Sequence, residues 1–109
     1  MVRYVPKSGD IVALTFDPQA GHEQKGRRPA LIVSNELFNR HVGMAFACPI
    51  TRTDRGFPFH VPFQGENVYG FVMVEQLKSI DYRARKVKYI ETVDQEILER
   101  VLTIVESIL

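Results

Sequence analysis

Residues 16–34, which read FDPQAGHEQKGRRPALIVS, decide the fold of this 109-residue chain. We expect a first strand to end at Phe16 and Asp17, and a second to begin at Pro29 after a polar, glycine-containing loop. That loop combines an imidazole, a carboxylate, an amide and three cations: His22, Glu23, Gln24, Lys25, Arg27 and Arg28. Loops held between strands are where catalytic and binding groups concentrate. An acid/base pair beside fixed positive charge predicts work on a phosphodiester.

The alternative for this stretch is an ordinary solvated loop whose charges keep the protein soluble. Two features favour a functional loop instead. Pro29 fixes its own φ and pushes Arg28 into an extended conformation, so the arginine side chain leaves the backbone in a defined direction. Gly21 and Gly26 bracket the charged residues and permit a tight, non-repetitive backbone.

The composition predicts one globular domain over residues 1–109. An apolar fraction of 45% and a charged fraction of 25% are ordinary values, and this length supports a modest core without disulfides or metal. Cys48 is the single cysteine, and its apolar surroundings, MAFACPI, predict a buried and inert thiol. A polar N-terminus and apolar runs of only strand length predict neither a signal peptide nor a spanning helix, and hence a cytosolic protein.

The net charge of +1 is unevenly distributed. Residues 1–90 carry 13 Lys and Arg against 8 Asp and Glu, whereas residues 91–109 carry 1 against 5. A basic body is compatible with a polyanionic partner, and the acidic tail can lie away from that surface.

Turn residues divide the chain into short segments of strand length. Strands are predicted at Gly9–Asp17, Pro29–Ser34, Met44–Ile50, Phe59–Phe63, Val68–Glu75, Leu77–Tyr82 and Lys86–Thr92. Pro62 restricts the fourth of these to an edge or a strand end, and Gly70 is a candidate bulge in the fifth. The last two are expected to pair with each other across the basic turn Arg83-Ala84-Arg85.

Two helices complete the prediction. The first is a short turn that Ser34 or Asn35 caps and that closes near Gly43. The second begins after Thr92 or Asp94 and has an apolar stripe that consists of Ile97, Val101, Val105 and Ile108, widened by Leu98, Leu102 and Leu109. We therefore expect a mainly β fold with a C-terminal helix: a small, strongly bent β-barrel or sheet that the stripe covers, with a second subunit as a further contact for the stripe.

The chain resembles the MazF/PemK (Kid) toxins of bacterial toxin–antitoxin modules. GDIVALTFDP followed by GHEQKGRRPALIVS is similar to the family signature, and the similarity continues through CPIT at 48–51, GFPFHV at 56–61 and EQLKSIDYRAR at 75–85. The resemblance implies an SH3-like (CcdB/Kid-type) small β-barrel, a homodimer, and a metal-independent, sequence-selective endoribonuclease that cleaves single-stranded RNA, chiefly mRNA. It also implies a MazE-like antitoxin whose disordered tail fills the RNA groove, and contact with promoter DNA only through the antitoxin complex.

The resemblance also implies which residues are catalytic. Glu23, Arg28 and Thr51 fall on the catalytic positions of the family, and His22 falls where some members carry a functional histidine. The implied reaction is attack of the RNA 2′-hydroxyl on phosphorus, with Glu23 as base, Arg28 as electrostatic clamp and Thr51 as hydrogen-bond donor. Because arginine stays protonated, we hypothesise that His22 shares the proton transfer to the leaving oxygen. The alternative for His22 is a loop histidine that hydrogen-bonds to the backbone.

One departure from the family pattern bears on the mechanism. Some members place an Arg and an Asp in the strand just before the glutamine at Gln76, where this chain has Met73 and Glu75. A mechanism built on that pair is therefore disfavoured here, and the one that uses Glu23 is favoured.

A second set of residues is predicted to contact RNA around this centre. It consists of Gln24, Lys25, Arg27, Arg52, Arg55, Phe57, Arg83 and Arg85, with the phenyl ring able to stack on a base. Each cation has the alternative of a solvated surface charge, and Phe57 that of a core residue. His41 and His60 have no partner at metal-ligand spacing, so neither a metal nor another cofactor is expected.

Two rival functions use the same fold. A gyrase poison without enzymatic activity would have no use for the GHEQKGRRP cluster. A non-catalytic module that holds nucleic acid with its basic loops would keep its function when Glu23 is substituted, whereas a nuclease would lose turnover.

Overall fold

The computed structural model describes residues 3–15 and 27–109, which form a curled antiparallel sheet with one long helix. The strands are β1 (Asp10–Thr15), β2 (Arg27–Ile32), β3 (Ala45–Thr51), β4 (His60–Gln64), β5 (Tyr69–Met73), β6 (Lys78–Ile80) and β7 (Lys88–Thr92). The helices are α1 (Glu36–Val42) and α2 (Gln95–Ile108), and a 3₁₀ turn spans Val74–Gln76. This half-barrel with a terminal helix confirms the expected mainly β class.

The strand order is β4-β5-β3-β2-β1-β7, and β3 is the strand at which the sheet bends. On the side away from β2, the first half of β3 pairs with β6 and its last two residues pair with β5. Among the described residues β4 pairs with β5 alone. Its position at the sheet edge confirms the prediction drawn from Pro62.

Both faces of the sheet are buried, which explains the nearly continuous apolar runs. Successive side chains of a strand point to opposite faces, so Ile11 enters one core cluster while Val12 and Leu14 enter the other. Helix α2 covers the first cluster through its fully buried Val101. Burial along the predicted stripe is strongest at Val101 and falls towards the C-terminus, where Leu109 is exposed.

Helix α1 has the expected caps and is tied to the sheet by a buried amide. The Asn35 side chain accepts a hydrogen bond from the first turn, and Gly43 adopts a left-handed conformation at the C-terminus. The Nδ2 atom of Asn39 donates to the carbonyl oxygens of Pro6 (2.8 Å) and Ser34 (3.1 Å). The polar groups under the helix are therefore paired.

The second strand begins earlier than predicted. The prediction that Arg27 and Arg28 lie in the loop is wrong, because both belong to β2 and pair with Thr15 and Leu14 of β1. The extended backbone that Pro29 imposes on the residue before it suits a strand as well as a loop. The edge of β1 is the partner with which this extended segment pairs.

Three further predictions in the second half of the chain are wrong. The last two strands do not pair with each other, because β6 pairs with β3 and β7 crosses to β1. Glu75 lies in the 3₁₀ turn and not in a strand. Gly70 is not a bulge, because the β4–β5 register runs through it without interruption.

Candidate active site

The pairing of β2 with β3 brings two predicted catalytic residues together. In this antiparallel register Ala30 pairs with Pro49, and Arg28 and Thr51 each lie two residues beyond this pair, towards the same end of the ladder. Both residues line an open cavity of about 390 Å³.

The side chains of Arg28 and Thr51 are available for a ligand. Within the described part of the chain, the exposed Arg28 guanidinium has no hydrogen-bond partner. The hydroxyl oxygen of Thr51 accepts from the backbone N–H of Thr53 at 3.2 Å. This contact occupies a lone pair and leaves the hydroxyl proton free to donate.

Two other predicted RNA contacts hold the end of β1. The Nη2 atom of Arg27 donates to the carbonyl oxygens of Ala13 and Lys86, each at 3.1 Å. The Nη1 atom of Arg85 donates to the carbonyl oxygen of Thr15 at 2.7 Å. Both arginines therefore anchor the backbone at the end of β1, immediately before residues 16–26, which lie outside the described part of the chain. Their contact with RNA stays a prediction.

The cavity lining also contains residues that sequence reasoning missed. Asn67, Val68 and Tyr69 line the cavity at the start of β5. The guanidinium carbon of Arg52 lies 4.7 Å from the centre of the Tyr69 ring, which is a cation–π contact. Of these residues, only Arg52 was predicted to contact RNA.

Gly70 allows β5 to approach the backbone of Thr51 closely. Its φ of +144° is a backbone conformation that L residues with a side chain rarely adopt. A Cβ atom built there would lie 2.4 Å from the carbonyl oxygen of Thr51. Glycine is therefore required for the position of Thr51.

The loop 52–59 carries two predicted RNA contacts, Arg55 and Phe57, outside the residues that line this cavity. The Phe57 side chain is 51% exposed, and its ring centre lies 5.1 Å from that of His60. His60 is buried and donates from Nε2 to the Glu75 carboxylate at 2.9 Å. Its Nδ1 atom has no partner in the part of the chain that the structure describes. Phe57 thus packs against the buried His60 ring, whose partner Glu75 is exposed, while presenting half of its own surface to solvent.

The remaining predicted site residues fall into two groups. Arg83 is exposed on the turn between β6 and β7, away from the cavity lining. His22, Glu23, Gln24 and Lys25 lie outside the described residues. The segment that contains them joins Thr15 to Arg27, which are paired neighbours in the sheet. It therefore starts and ends beside the Arg28 side of the cavity.

The single thiol is buried, as predicted. Burial, with a smaller contribution from the Glu75 carboxylate, raises the pKa of Cys48 to about 12. Residues 3–15 and 27–109 contain no group of three or more His, Cys, Asp or Glu side chains that could hold a metal ion. No helix in these ranges is long and apolar enough to cross a membrane.

Comparison with known proteins places this chain in a family. The family model described as PemK-like, MazF-like toxin of type II toxin–antitoxin system matches residues 7–109. The chain is 42% identical over 83 residues to the endoribonuclease toxin MazF of Escherichia coli K12, covering 76% of this chain and 75% of that protein.

Similarity to solved structures supports the same family assignment. The crystal structure of MazF from Deinococcus radiodurans is similar with 38% identity and a TM-score of 0.85, covering 97% of each chain. A MazE–MazF crystal structure from the same organism is similar with 36% identity and a TM-score of 0.86, covering 96% of each chain. The chain therefore belongs to the PemK/MazF toxin family of type II toxin–antitoxin systems.

Proposed function

We propose that this chain is a toxin that acts as a metal-independent, sequence-selective endoribonuclease on single-stranded RNA, chiefly mRNA, and so inhibits translation and growth. The observation that carries the proposal is the cavity that Arg28 and Thr51 both line, in which, among the described residues, the guanidinium has no hydrogen-bond partner and the hydroxyl proton is free to donate. The endoribonuclease names of relatives such as E. coli MazF support the reaction class.

The reaction is a transesterification within the RNA. Glu23 takes the proton of the 2′-hydroxyl, the 2′-oxygen bonds to phosphorus, and the bond from phosphorus to the 5′-oxygen breaks. The products are a 2′,3′-cyclic phosphate and a 5′-hydroxyl end. Arg28 grips the phosphate and stabilises the charge that develops on its oxygens, and Thr51 donates a hydrogen bond to one of them.

The leaving 5′-oxygen needs a proton, and His22 is the residue suited to give it. An unperturbed imidazole titrates near neutrality, whereas arginine stays protonated at any working pH. The contact between Glu75 and His60 supports the choice of Glu23 as base, because Glu75 is engaged outside the cavity lining.

The partners follow from the same assignment. We propose that the toxin is a cytoplasmic homodimer whose activity a cognate MazE-like antitoxin blocks, and that it meets promoter DNA only through the antitoxin complex. Similarity to MazE–MazF structures from Deinococcus radiodurans supports the antitoxin as partner.

The first experiment incubates purified, antitoxin-free protein with a mixed-sequence single-stranded RNA in excess EDTA. We expect cuts with cyclic-phosphate and 5′-hydroxyl ends at a limited set of sequences. The cuts should disappear when a 2′-deoxy nucleotide replaces the one 5′ to the scissile phosphate. Folded protein that makes no cuts would overturn the proposed function.

Substitution of the proposed base separates a nuclease from a binding module. We expect Glu23→Gln to lower turnover by about 10²–10⁴-fold while RNA affinity is retained, because general bases contribute about this much. A Glu23→Gln variant with the wild-type rate would exclude the proposed base. For His22, a His22→Gln variant with the full rate and an unchanged pH profile would exclude the proton donor.

A further inference from the structure

The four-residue turn between β4 and β5 is built around a carboxylate from another strand, that of the half-buried Glu91. Glu91 of β7 accepts hydrogen bonds from three consecutive backbone N–H groups, those of Glu66 (3.0 Å), Asn67 (2.9 Å) and Val68 (2.8 Å). Successive N–H groups that converge in this way form an anion-binding concavity. In this turn the bound anion is the Glu91 carboxylate of the same chain.

The turn fits closely around this carboxylate. The N–H of Gly65 donates to the carbonyl oxygen of Val68 at 2.8 Å, which closes the turn. A Cβ atom at Gly65 would lie 2.6 Å from Oε2 of Glu91. Glu91 therefore fixes the conformation of residues 65–68 through contacts that cross 23 to 25 residues of sequence.

The end of this turn and the first residue of β5 form one wall of the cavity described above. Asn67 and Tyr69 line this cavity together with Arg28 and Thr51. Among the described residues, the side-chain amide of Asn67 has no hydrogen-bond partner, and the exposed Tyr69 ring lies beneath the Arg52 guanidinium. One wall thus offers a free donor and acceptor beside a flat aromatic surface.

We propose that residues 67–69 form the nucleobase-selecting wall of the RNA site, that Asn67 reads the edge of the base next to the scissile phosphate, and that Glu91 is the positioning residue that holds this wall. The inference rests on the proposed ribonuclease function and adds the residues that set its sequence preference. Unpaired RNA bases are recognised by stacking on aromatic rings or guanidinium planes and by hydrogen bonds to their edges. An amide suits an edge that presents a donor beside an acceptor.

The test compares kcat/KM for pairs of RNA oligonucleotides that differ by one base beside the cut, chosen from cleavage of a randomised pool by the wild type. We expect Asn67→Ala to lower the ratio between preferred and disfavoured bases by roughly tenfold, because a well-placed amide pair supplies about this discrimination. We expect Glu91→Gln to lower the same ratio, because an amide cannot accept all three N–H groups. Both variants should leave cuts with cyclic-phosphate ends.

Glu66→Gln is the matched control. Glu66 lies in the same turn but lines a different cavity from the one that Asn67 lines. Glu66→Gln should keep the wild-type ratio of kcat/KM between preferred and disfavoured bases. Thermal melting checks that each variant folds.

Each outcome decides a part of the inference. A folded Asn67→Ala variant with the wild-type ratio would overturn the role of Asn67, and a folded Glu91→Gln variant with that ratio would overturn the positioning role. If Glu91→Gln does not fold, the same ratio measured for Glu91→Asp, which keeps the charge but shortens the reach of the carboxylate towards the three N–H groups, decides the positioning role. Failure of the wild type to cut would instead overturn the proposed function, so the two failures are distinguishable.

Discussion

Substitution of Gly70 by alanine tests whether close packing of β5 positions Thr51, which we propose to be catalytic. The added Cβ atom would lie 2.4 Å from the carbonyl oxygen of Thr51 and 3.1 Å from its carbonyl carbon. Ordinary contact requires about 3.4 Å, so the end of β3 must move away by about 1 Å. No flexible side chain can absorb the shift, because both contacted atoms are backbone.

The expected magnitudes follow from this displacement. A misplacement of about 1 Å at a reacting group costs on the order of 10²-fold in rate. The φ of +144° adds about 1–3 kcal/mol of strain for alanine, and overpacking adds about 1–3 kcal/mol. We therefore expect Gly70→Ala to lose about 2–6 kcal/mol of unfolding free energy and about 100-fold in kcat of the folded fraction.

The assay combines urea denaturation with RNA cleavage under conditions where the variant is folded. Gly43→Ala is the matched control, because Gly43 also has a positive φ (+79°) but a Cβ atom there would have nothing within 4 Å. It should lose about 1–2 kcal/mol of stability and keep its cleavage rate. A folded Gly70→Ala variant that cleaves as fast as Gly43→Ala would refute the link between β5 packing and Thr51.

Two further predictions concern stability away from the cavity. Replacement of the buried Asn39 by alanine should lower the unfolding free energy by about 2–4 kcal/mol, measured by urea denaturation, because it leaves the carbonyl oxygens of Pro6 and Ser34 without their donor; a loss below about 0.5 kcal/mol would show that water replaces it. The raised pKa of Cys48, about 12 against an ordinary 9.0, stabilises the folded state fully below pH 9, and this contribution is lost as the pH rises towards 12. The stability difference between wild type and Cys48→Ala should therefore shrink by about 1.4 kcal/mol per pH unit in that window, and a constant difference would contradict the buried thiol.

Local chemistry made much of the fold predictable. Asn35 and Gly43 have the side chain and the backbone freedom that helix ends require, so α1 was predicted with its caps. Strand-length apolar runs predicted β1 to β3 because both faces of those strands are buried. Partners were harder to predict, since a strand pattern does not say which edge the strand will join. The wrong pairing of β6 with β7 arose in this way.

The site was predictable only in part, for a related reason. Arg28 and Thr51 could be named from the resemblance, and the β2–β3 register then brings them together. Nothing in the local sequence marks Asn67 or Tyr69, because their position depends on the distant carboxylate of Glu91. A glycine-bounded turn that precedes a strand was the only signal, and it is shared by many turns without a function.

The internal anion of the 65–68 turn also has a thermodynamic consequence for recognition. Because Glu91 belongs to the same chain, the entropy of ordering the turn is lost during folding and not when RNA arrives. The three N–H groups are already bound by Glu91, so they are not available to bind a phosphate of the proposed RNA substrate. One carboxylate thus both orders the turn in advance and removes a competing phosphate-binding position from it.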